Sequence, residues 1–592
     1  MKKTWICLLS LLLCVLTLCG CTRGAVHHAA DPDDPFGRQS EEERRIEAVA
    51  RDEEDMPVFR DMPYERPDLA ELDALIAAAE AAMMGGEGYD TVEPMLDDCF
   101  FFYYHFDTMY TLADIRSCLD LNDEYYAEEY LWCAENYTLV DQAIDGLYYA
   151  CAASPLADEL EERYFWEGFT EQYSDESESV YSDESVALMQ TESSLVAEYR
   201  ALSSDPVIVF RGHEEHLDAL LERLSGSAYN EAVIAYYEQY NERYADLLIR
   251  LVAVREQLAA ELGYDSYEQM QYLYSYERDY TPEQAEGYLQ DIKTHMVPLY
   301  REMERSDVFG QVWNSRIDED TLRDVLREAV GDFGGSVAEA FAFMERYELC
   351  DLSRDSRKAN MSFMTYLNDY EAPFLFLNAS GTNDDILSFA HEFGHYSDGY
   401  VNENAYETVD LAEVYSQGME YLVLSRLDRQ LDRDEADNLA KLKMIDTVEM
   451  YVQQSAFAEF EHRIYALGSQ ALDAETLNEI FRQVSREYGL YDANYDEFYS
   501  LSWGDIPHYY EQAFYIVSYP ISNDLAMQIY ELEREEEGAG LQRYLDHLER
   551  DFSGMMGLVD AGGFESPFDP GRVEKIAATA REILGLQPKN VI

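Results

Sequence analysis

The stretch GTNDDILSFAHEFGH, residues 381–395, combines a helix start with two histidines that are four residues apart. Thr382 is followed three positions later by Asp385, which is typical of a helix N-cap. Apolar residues then recur at helical spacing, and Gly399 lies where such a helix would end. The pattern therefore predicts a buried helix over residues 383–397.

His391 and His395 would project from the same face of this helix, as two ligands of one metal ion must. The apolar residues around them offer no polar partner, and a buried imidazole needs one. The pattern HExxH is typical of zinc peptidases, in which Zn²⁺ lowers the pKa of water to about 7. We predict one Zn²⁺ per chain on the two histidines, with Glu392 as the base that accepts a proton from water.

A third protein ligand should follow, because catalytic zinc sites use three. Asp398 and Val401 occupy the positions of the Gly and the His of a metzincin, so that class is excluded. The remaining candidates are the glutamates Glu403, Glu407, Glu413 and Glu420. Glu413 is the best placed, since it lies on a helix that begins near Asp410 and carries one polar stripe. Glu420, two turns further on, would orient a ligand histidine.

The composition excludes several classes of protein. Hydrophobic residues make up 47% of the 592 residues, which is enough for a large core and excludes a mainly disordered chain. The 120 acidic residues against 43 basic ones give a net charge of −77, which repels nucleic acids and anionic lipid surfaces. We predict no nucleic-acid partner, and no obligate protein partner is evident. The cysteines form no CxxC pair, so neither a Cys-based zinc site nor a disulfide framework is predicted.

The N-terminal sequence is typical of export. Two lysines precede an apolar run over residues 5–18, which is too short to span a bilayer as a helix. The tetrapeptide Leu18-Cys19-Gly20-Cys21 resembles a bacterial lipoprotein box. We predict a signal peptide over residues 1–20, a lipid anchor on Cys21 and an acidic tether over residues 21–60, with the protein outside the cytoplasm on a bacterial membrane. An ordinary secretory signal that is cut nearby is the alternative.

Most of the remaining chain has helical periodicity, so the fold class is mainly α with one small β-sheet. The clearest strand is Pro373–Asn378, just before the helix that carries the histidines. If its edge is exposed, it could bind an extended peptide through backbone hydrogen bonds. The acidic, serine-bearing stretch over residues 174–185 is predicted to be an exposed loop at a subdomain boundary.

The motifs together resemble the M3 family of zinc peptidases, which includes the thimet oligopeptidases and oligoendopeptidase F. The resemblance rests on His391–His395, on Ala412–Glu420, and on Ile506–Tyr510 with the Phe514-Tyr515 pair. It implies two helical lobes around a deep substrate channel, with the small sheet next to the zinc helix. It also implies an N-terminal helical domain over residues 61–200 and a catalytic domain over residues 201–592.

A segment downstream has its own pattern. If Pro507 opens a helix, His508, Tyr515 and Tyr519 fall nearly on one face of it, and Pro520 would kink the helix just after them. An imidazole and phenols aimed at the scissile carbonyl would stabilise the developing oxyanion. The family resemblance implies such roles for a His and one or two Tyr here, and these three residues are our candidates.

The sequence thus predicts a zinc-dependent endopeptidase of the oligoendopeptidase F type, with His391, His395 and Glu413 as ligands and short oligopeptides as substrates. A dipeptidyl carboxypeptidase on the same scaffold is the nearest alternative. It would need a cationic group that binds the terminal carboxylate, and the sequence does not place one. A non-catalytic peptide-binding lipoprotein is the alternative from another class, and it would have no need of Glu392.

Overall fold

A computed structural model describes the chain from residue 56 to residue 586, except residues 167, 174–181, 205, 403–407, 549–551 and 553. The predicted signal peptide, the anchor at Cys21, nearly all of the tether and most of the predicted acidic loop therefore lie outside the described residues. Phe59, at the end of the predicted tether, is already buried and packs on Phe374 with ring centroids 4.1 Å apart.

The described chain is mainly helical, as predicted. The helices before the central sheet are α1 (Leu69–Gly85), α2 (Tyr89–Leu119), α3 (Glu124–Ala152), α4 (Ala157–Arg163), α5 (Phe169–Gln172), α6 (Asp183–Ser203), α7 (Leu217–Arg223), α8 (Ser227–Glu261), α9 (Tyr267–Met270), α10 (Pro282–Arg305), α11 (Glu319–Phe333) and α12 (Gly335–Arg346). Helices α1 to α5 enclose two small apolar clusters of their own, whereas α6 and the later helices share the large core. The arrangement as two lobes around a channel, and the domain boundary near residue 200, stay predictions.

The helices after the sheet carry the candidate site residues that lie within the described chain, except Tyr515, which lies between two of them. They are α13 (Asp385–Asn402), α14 (Val409–Leu424), α15 (Arg433–Leu467), α16 (Ala474–Glu487), α17 (Phe498–Leu501), α18 (His508–Glu511), α19 (Ser518–Glu535), α20 (Ala539–Leu548), α21 (Met555–Gly562) and α22 (Arg572–Ile583). Helices α13, α14 and α19 are buried along most of their length. Within the described ranges, no helix is long and apolar enough to cross a bilayer.

A three-stranded sheet lies against α13. Its strands are β3 (Cys350–Asp351), β4 (Ser362–Leu367) and β5 (Ala372–Leu377), in the order β3-β5-β4, and a separate hairpin pairs β1 (Val207–Phe210) with β2 (His213–His216). The predicted strand is therefore present, but the expectation that its edge is open is wrong. Strand β5 pairs with β3 on one side and β4 on the other, because its residues are all buried and belong at the centre. The edge strands are β3, which has only two residues, and β4.

Helix α13 differs from the prediction at both ends. It begins at Asp385, whose carboxylate accepts hydrogen bonds from the backbone N–H groups of Ser380, Gly381 and Thr382. It continues past Gly399 to Asn402, five residues beyond the predicted end. Gly399 lies inside the helix and does not end it, and a β-carbon there would meet only ordinary contacts, the nearest 3.4 Å away on the Met364 side chain of β4.

The five cysteines of the described residues are free thiols, and none is part of a disulfide. They are Cys99, Cys118, Cys133, Cys151 and Cys350. Burial raises the pKa of three of these thiols to about 11 or 12, so they stay protonated and unreactive at neutral pH.

Candidate active site

Helices α13 and α14 touch at Gly394. A β-carbon at this position would lie 2.5 Å from the Cα of Ser416 and 2.7 Å from the carbonyl oxygen of Tyr415, so only glycine fits. The contact brings the face of α13 that carries His391 and His395 against the first turns of α14, where Glu413 lies. The glycine of the HEFGH sequence therefore sets the distance between the two ligand-bearing helices.

The three predicted ligands lie together. Donor atoms of His391, His395 and Glu413 all lie within 4.8 Å of one another, and the Nε2 atom of His391 is 3.8 Å from a carboxylate oxygen of Glu413. Tetrahedral zinc with bonds of about 2 Å would hold such donors roughly 3.3 Å apart. The donor atoms would therefore have to move only slightly closer together to bind the ion. Two imidazoles and one carboxylate form the donor set of a catalytic zinc site, so the residues fit the predicted ion.

The carboxylate of Glu413 is held by its neighbours. Ser416 donates a hydrogen bond to it over 3.0 Å and Gln417 donates another over 3.4 Å. The side-chain oxygen of Gln417 accepts in turn from Asn523 on α19. A carboxylate fixed in this way loses little conformational freedom on binding a metal.

Glu420 lies 3.0 Å from the Nδ1 atom of His391, where it can fix the ring with Nε2 turned toward the site. Its other oxygen accepts a hydrogen bond from Lys443 on α15, a residue that no sequence motif indicated. Burial would lower the pKa of His391, but the hydrogen bond to Glu420 and the nearby carboxylates outweigh it and raise that pKa to about 9. Burial, together with the charge of His391, lowers the pKa of His395 well below its ordinary value.

Glu392 is buried beside the ligands, and its Oε2 atom has no hydrogen-bond partner within the described residues. Burial raises the pKa of Glu392 to about 7, against the opposing charge of His391 and the nearby Ser362 hydroxyl on β4. A buried carboxylate oxygen without a donor is rare in folded proteins and marks a place where an external donor is expected. Glu392 can therefore accept a proton near neutral pH.

The predicted single helix after Pro507 is wrong. His508 begins the four-residue helix α18, the chain then breaks, and α19 starts at Ser518. Helix α18 ends at Glu511, since Gln512 leaves the helical conformation with φ of −144°, and Phe514 within the break has a left-handed backbone with φ of 63°. Pro520 is the third residue of α19, where no helical N–H bond is required, so it does not kink the helix.

The three side chains nevertheless converge. The Tyr515 hydroxyl donates to Glu413 over 3.4 Å, and the Nε2 atom of His508 lies 3.4 Å from the Tyr519 hydroxyl. Burial lowers the pKa of His508 to about 4, so its imidazole is neutral at neutral pH and can act as a hydrogen-bond donor without charge. The three rings lie within 6.0 Å of one another, and Tyr515 connects them to the metal-ligand group through Glu413. Their catalytic roles stay predictions.

Two of the candidate third ligands, Glu403 and Glu407, lie outside the described residues. The polar stripe of α14 points inward, because Glu413 and Glu420 are both buried. Periodicity alone could not decide this point, since a polar stripe is more often solvated.

Gly394→Ala is expected to destabilise the fold and weaken zinc binding, because the new methyl group would push α14 away from α13. Overpacking of this kind typically destabilises by about 1–3 kcal/mol. Gly399→Ala is the matched control on the same helix, where a β-carbon meets only ordinary contacts and alanine favours helix by about 1 kcal/mol. Urea unfolding and zinc content would be measured for both variants. Equal effects of the two substitutions would contradict the proposed role of Gly394.

Comparisons with known proteins all point to one peptidase family. The family model for the peptidase M3 N-terminal domain matches residues 59–173, and the model for peptidase family M3 matches residues 306–551. Oligoendopeptidase F of Lactococcus lactis subsp. cremoris is 27% identical over 345 residues, which are 54% of this chain and 56% of that protein. Group B oligopeptidase of Streptococcus agalactiae is 26% identical over 54% of this chain and 56% of its own length. The chain thus matches about half the length of these curated relatives.

Solved structures extend the likeness to nearly the whole chain. A crystal structure assigned to oligoendopeptidase F aligns with a TM-score of 0.72 and 25% identity over 90% of this chain and 99% of that one. PZ peptidase A with an inhibitor shares the fold, with a TM-score of 0.71 and 23% identity over 89% of this chain and 99% of that one. The two family models, which together span more than half of the residues, confirm the resemblance: the chain belongs to peptidase family M3 and is similar to oligoendopeptidase F.

Proposed function

We propose that this protein is a zinc-dependent endopeptidase that hydrolyses internal bonds of short oligopeptides outside the cytoplasm. The observation that carries the proposal is the unpartnered buried oxygen of Glu392 beside the three donor atoms of His391, His395 and Glu413. A peptide-binding protein without catalysis would have no use for a buried carboxylate that is left without a donor.

When bound, Zn²⁺ supplies Lewis-acid chemistry, which polarises a peptide carbonyl and makes water acidic. Glu392 accepts the proton of the attacking water on its free oxygen and passes it to the leaving amine. Its pKa of about 7 suits both steps, because the carboxyl can hold and release a proton at neutral pH.

Tyr515 and His508 act on the scissile carbonyl. Both are buried, and the imidazole of His508 is neutral at neutral pH, so it can donate without carrying a charge. Donors fixed in a dry site stabilise the oxyanion as it forms, and loss of one typically lowers kcat by about 10²- to 10³-fold. The Tyr519 hydroxyl supports the ring of His508 from 3.4 Å.

The edge strand β4 offers a place for the substrate backbone. It pairs with β5 on one side, and its first residue, Ser362, lies next to Glu392. An extended peptide added along this edge would present backbone groups rather than particular side chains for recognition. Such binding suits substrates of varied sequence that lack a fold of their own.

The test is mass spectrometry of peptides of graded length and one folded protein, incubated with the purified enzyme and with a zinc chelator in parallel. Internal cuts in short peptides only, abolished by the chelator, are the expected result. Stepwise release of dipeptides from C-termini would favour the carboxypeptidase instead. No cleavage by zinc-loaded protein would overturn both and leave the binding lipoprotein.

The location is proposed from the N-terminal sequence alone. The lipoprotein box that ends at Cys21 supports covalent anchoring, and the negative charge of the chain argues against electrostatic attachment to lipid. Labelling with a fatty-acid analogue is expected for the wild type and not for Cys21→Ala. Label retained by that variant would contradict the anchor.

A further inference from the structure

Phe514 is held in a conformation that a bulky residue rarely adopts. Its φ of 63° lies in the left-handed region, where a side chain with a β-carbon is strained. It is the residue immediately before Tyr515, and it lies in the bend between α18 and α19. Strain of this kind persists only where surrounding groups impose it.

Two buried side chains, one acidic and one basic, hold the backbone of Phe514 by its N–H and its carbonyl group. Glu461 on α15 accepts a hydrogen bond from the Phe514 N–H over 2.8 Å. Arg278 donates to the Phe514 carbonyl over 2.9 Å and to the Ser518 hydroxyl over 2.7 Å. The side chains of Glu461 and Arg278 are both buried, at 0% and 2% exposure. We call Arg278 and Glu461 the Phe514 clamp.

Arg278 also ties the bend to the metal-ligand helix. Its Nε atom donates to Asp410 over 3.1 Å, and Asp410 lies three residues before Glu413 on α14. Tyr280 donates to the other oxygen of Asp410 over 3.1 Å, and Tyr276 donates to the Ala513 carbonyl over 2.9 Å. One guanidinium therefore fixes the spacing between the helix that carries Glu413 and the segment that carries Tyr515.

The clamp is a poor arrangement for stability alone. The Nη1 atom of Arg278 and the Oε1 atom of Glu461 are both buried without a hydrogen-bond partner within the described residues. The two side chains form hydrogen bonds with the bend rather than with each other. Two apolar side chains in their place would avoid the free-energy cost of desolvating both. Polar groups buried in this way, together with local backbone strain, are typical of functional sites.

We propose that Arg278 and Glu461 are positioning residues that hold Phe514 in its left-handed conformation and thereby fix the Tyr515 hydroxyl beside Glu413. The inference rests on the proposed peptidase function. The clamp touches neither substrate nor metal, and it acts only by fixing the position of Tyr515.

The test is a double-mutant cycle on kcat between the clamp and Tyr515. Tyr515→Phe is expected to lower kcat about 100-fold, in the range for loss of one oxyanion donor. Glu461→Leu is expected to lower kcat about 30-fold or more with KM changed less than threefold. The double variant should fall within threefold of Tyr515→Phe alone, because a misplaced phenol and an absent one are equivalent. Losses that multiply would overturn the proposal.

Glu461→Gln supplies the conservative rescue. Burial raises the pKa of Glu461 to about 8, so the carboxyl is mainly neutral at pH 7, and a glutamine oxygen can accept the same Phe514 N–H. This variant is expected to keep kcat within threefold of wild type. A loss as large as that of Glu461→Leu would contradict the clamp.

Arg572→Met is the matched control, since Arg572 is equally buried and pairs with Asp524 on α19 without touching Phe514. It is expected to lower the melting temperature. The fold-loss of kcat caused by Tyr515→Phe should be the same with and without Arg572→Met.

If Glu461→Leu does not fold, Tyr276→Phe replaces it. This variant is expected to lower kcat about tenfold in the wild-type background and to cause no further loss in the Tyr515→Phe background. Absence of peptide cleavage by the zinc-loaded wild type would mark failure of the peptidase function itself, separately from failure of the clamp.

Discussion

Glu392→Gln is expected to lower kcat by about 10³- to 10⁴-fold while zinc binding stays unchanged. The substitution keeps the size of the side chain and removes only the ability to accept a proton. Glu392 is not one of the three donors grouped at the site, so its loss should leave the metal in place. Kinetics on a fluorogenic peptide, together with zinc content, would measure both effects.

Glu413→Gln is the matched comparison, because it changes a carboxylate of the same site that we assign to the metal. It should lose zinc and activity together, whereas Glu392→Gln loses activity alone. In the wild type, kcat/KM should fall as the pH drops through the pKa of Glu392, at or below about 7, since only the ionised carboxylate accepts a proton. Zinc loss in Glu392→Gln, or retained turnover, would contradict the assignment of the base.

Removal of zinc by a chelator is expected to abolish cleavage, and readdition of zinc at pH 7 should restore it with release of about one proton per chain. The proton comes from His391, whose pKa of about 9 keeps it charged in the metal-free site at pH 7. Because a proton competes with the metal, the apparent zinc affinity should rise about tenfold per pH unit and level off near pH 9. Calorimetry in buffers of different ionisation enthalpy would measure the proton.

Glu420→Gln is the variant that tests this explanation. It removes the carboxylate that raises the pKa of His391, so less than one proton should be released at pH 7. Loss of this hydrogen-bond partner should also weaken zinc binding by about 10- to 100-fold. Proton release that is unchanged in Glu420→Gln would show that the proton has another source.

The sequence predicted the parts of the site that depend on short spacings. His391 and His395 are one helical turn apart, and the polar stripe of α14 indicated Glu413 and Glu420, which the structure places at the histidines. The helix end at residue 397 was wrong because Gly399 keeps a helical backbone and lies inside α13, which continues to Asn402. Local signals cannot distinguish a glycine that ends a helix from one that lies within it.

The contacts across the bend could not be predicted for the same reason. The spacings of His508, Tyr515 and Tyr519 fit one face of one helix, whereas a strained residue lies between the first and the second. Lys443, Arg278 and Glu461 belong to no motif, and their roles depend on partners far away in the sequence. Strand β5 was found from its apolar run, but its central place in the sheet depends on pairing with β3 and β4.

The site is assembled from segments at very different distances along the chain. The three donors lie within one helix pair, whereas Tyr515 is 102 residues beyond Glu413, and Arg278 is 132 residues before Asp410. During folding, nearby segments meet sooner than distant ones, because closing a long loop loses more chain entropy. Metal capture and catalytic competence can thus be reached at different stages of folding. In a preparation of this protein, the zinc content would measure the fraction of chains in which the two ligand-bearing helices have docked. Turnover alone would measure the fraction in which the whole site has folded.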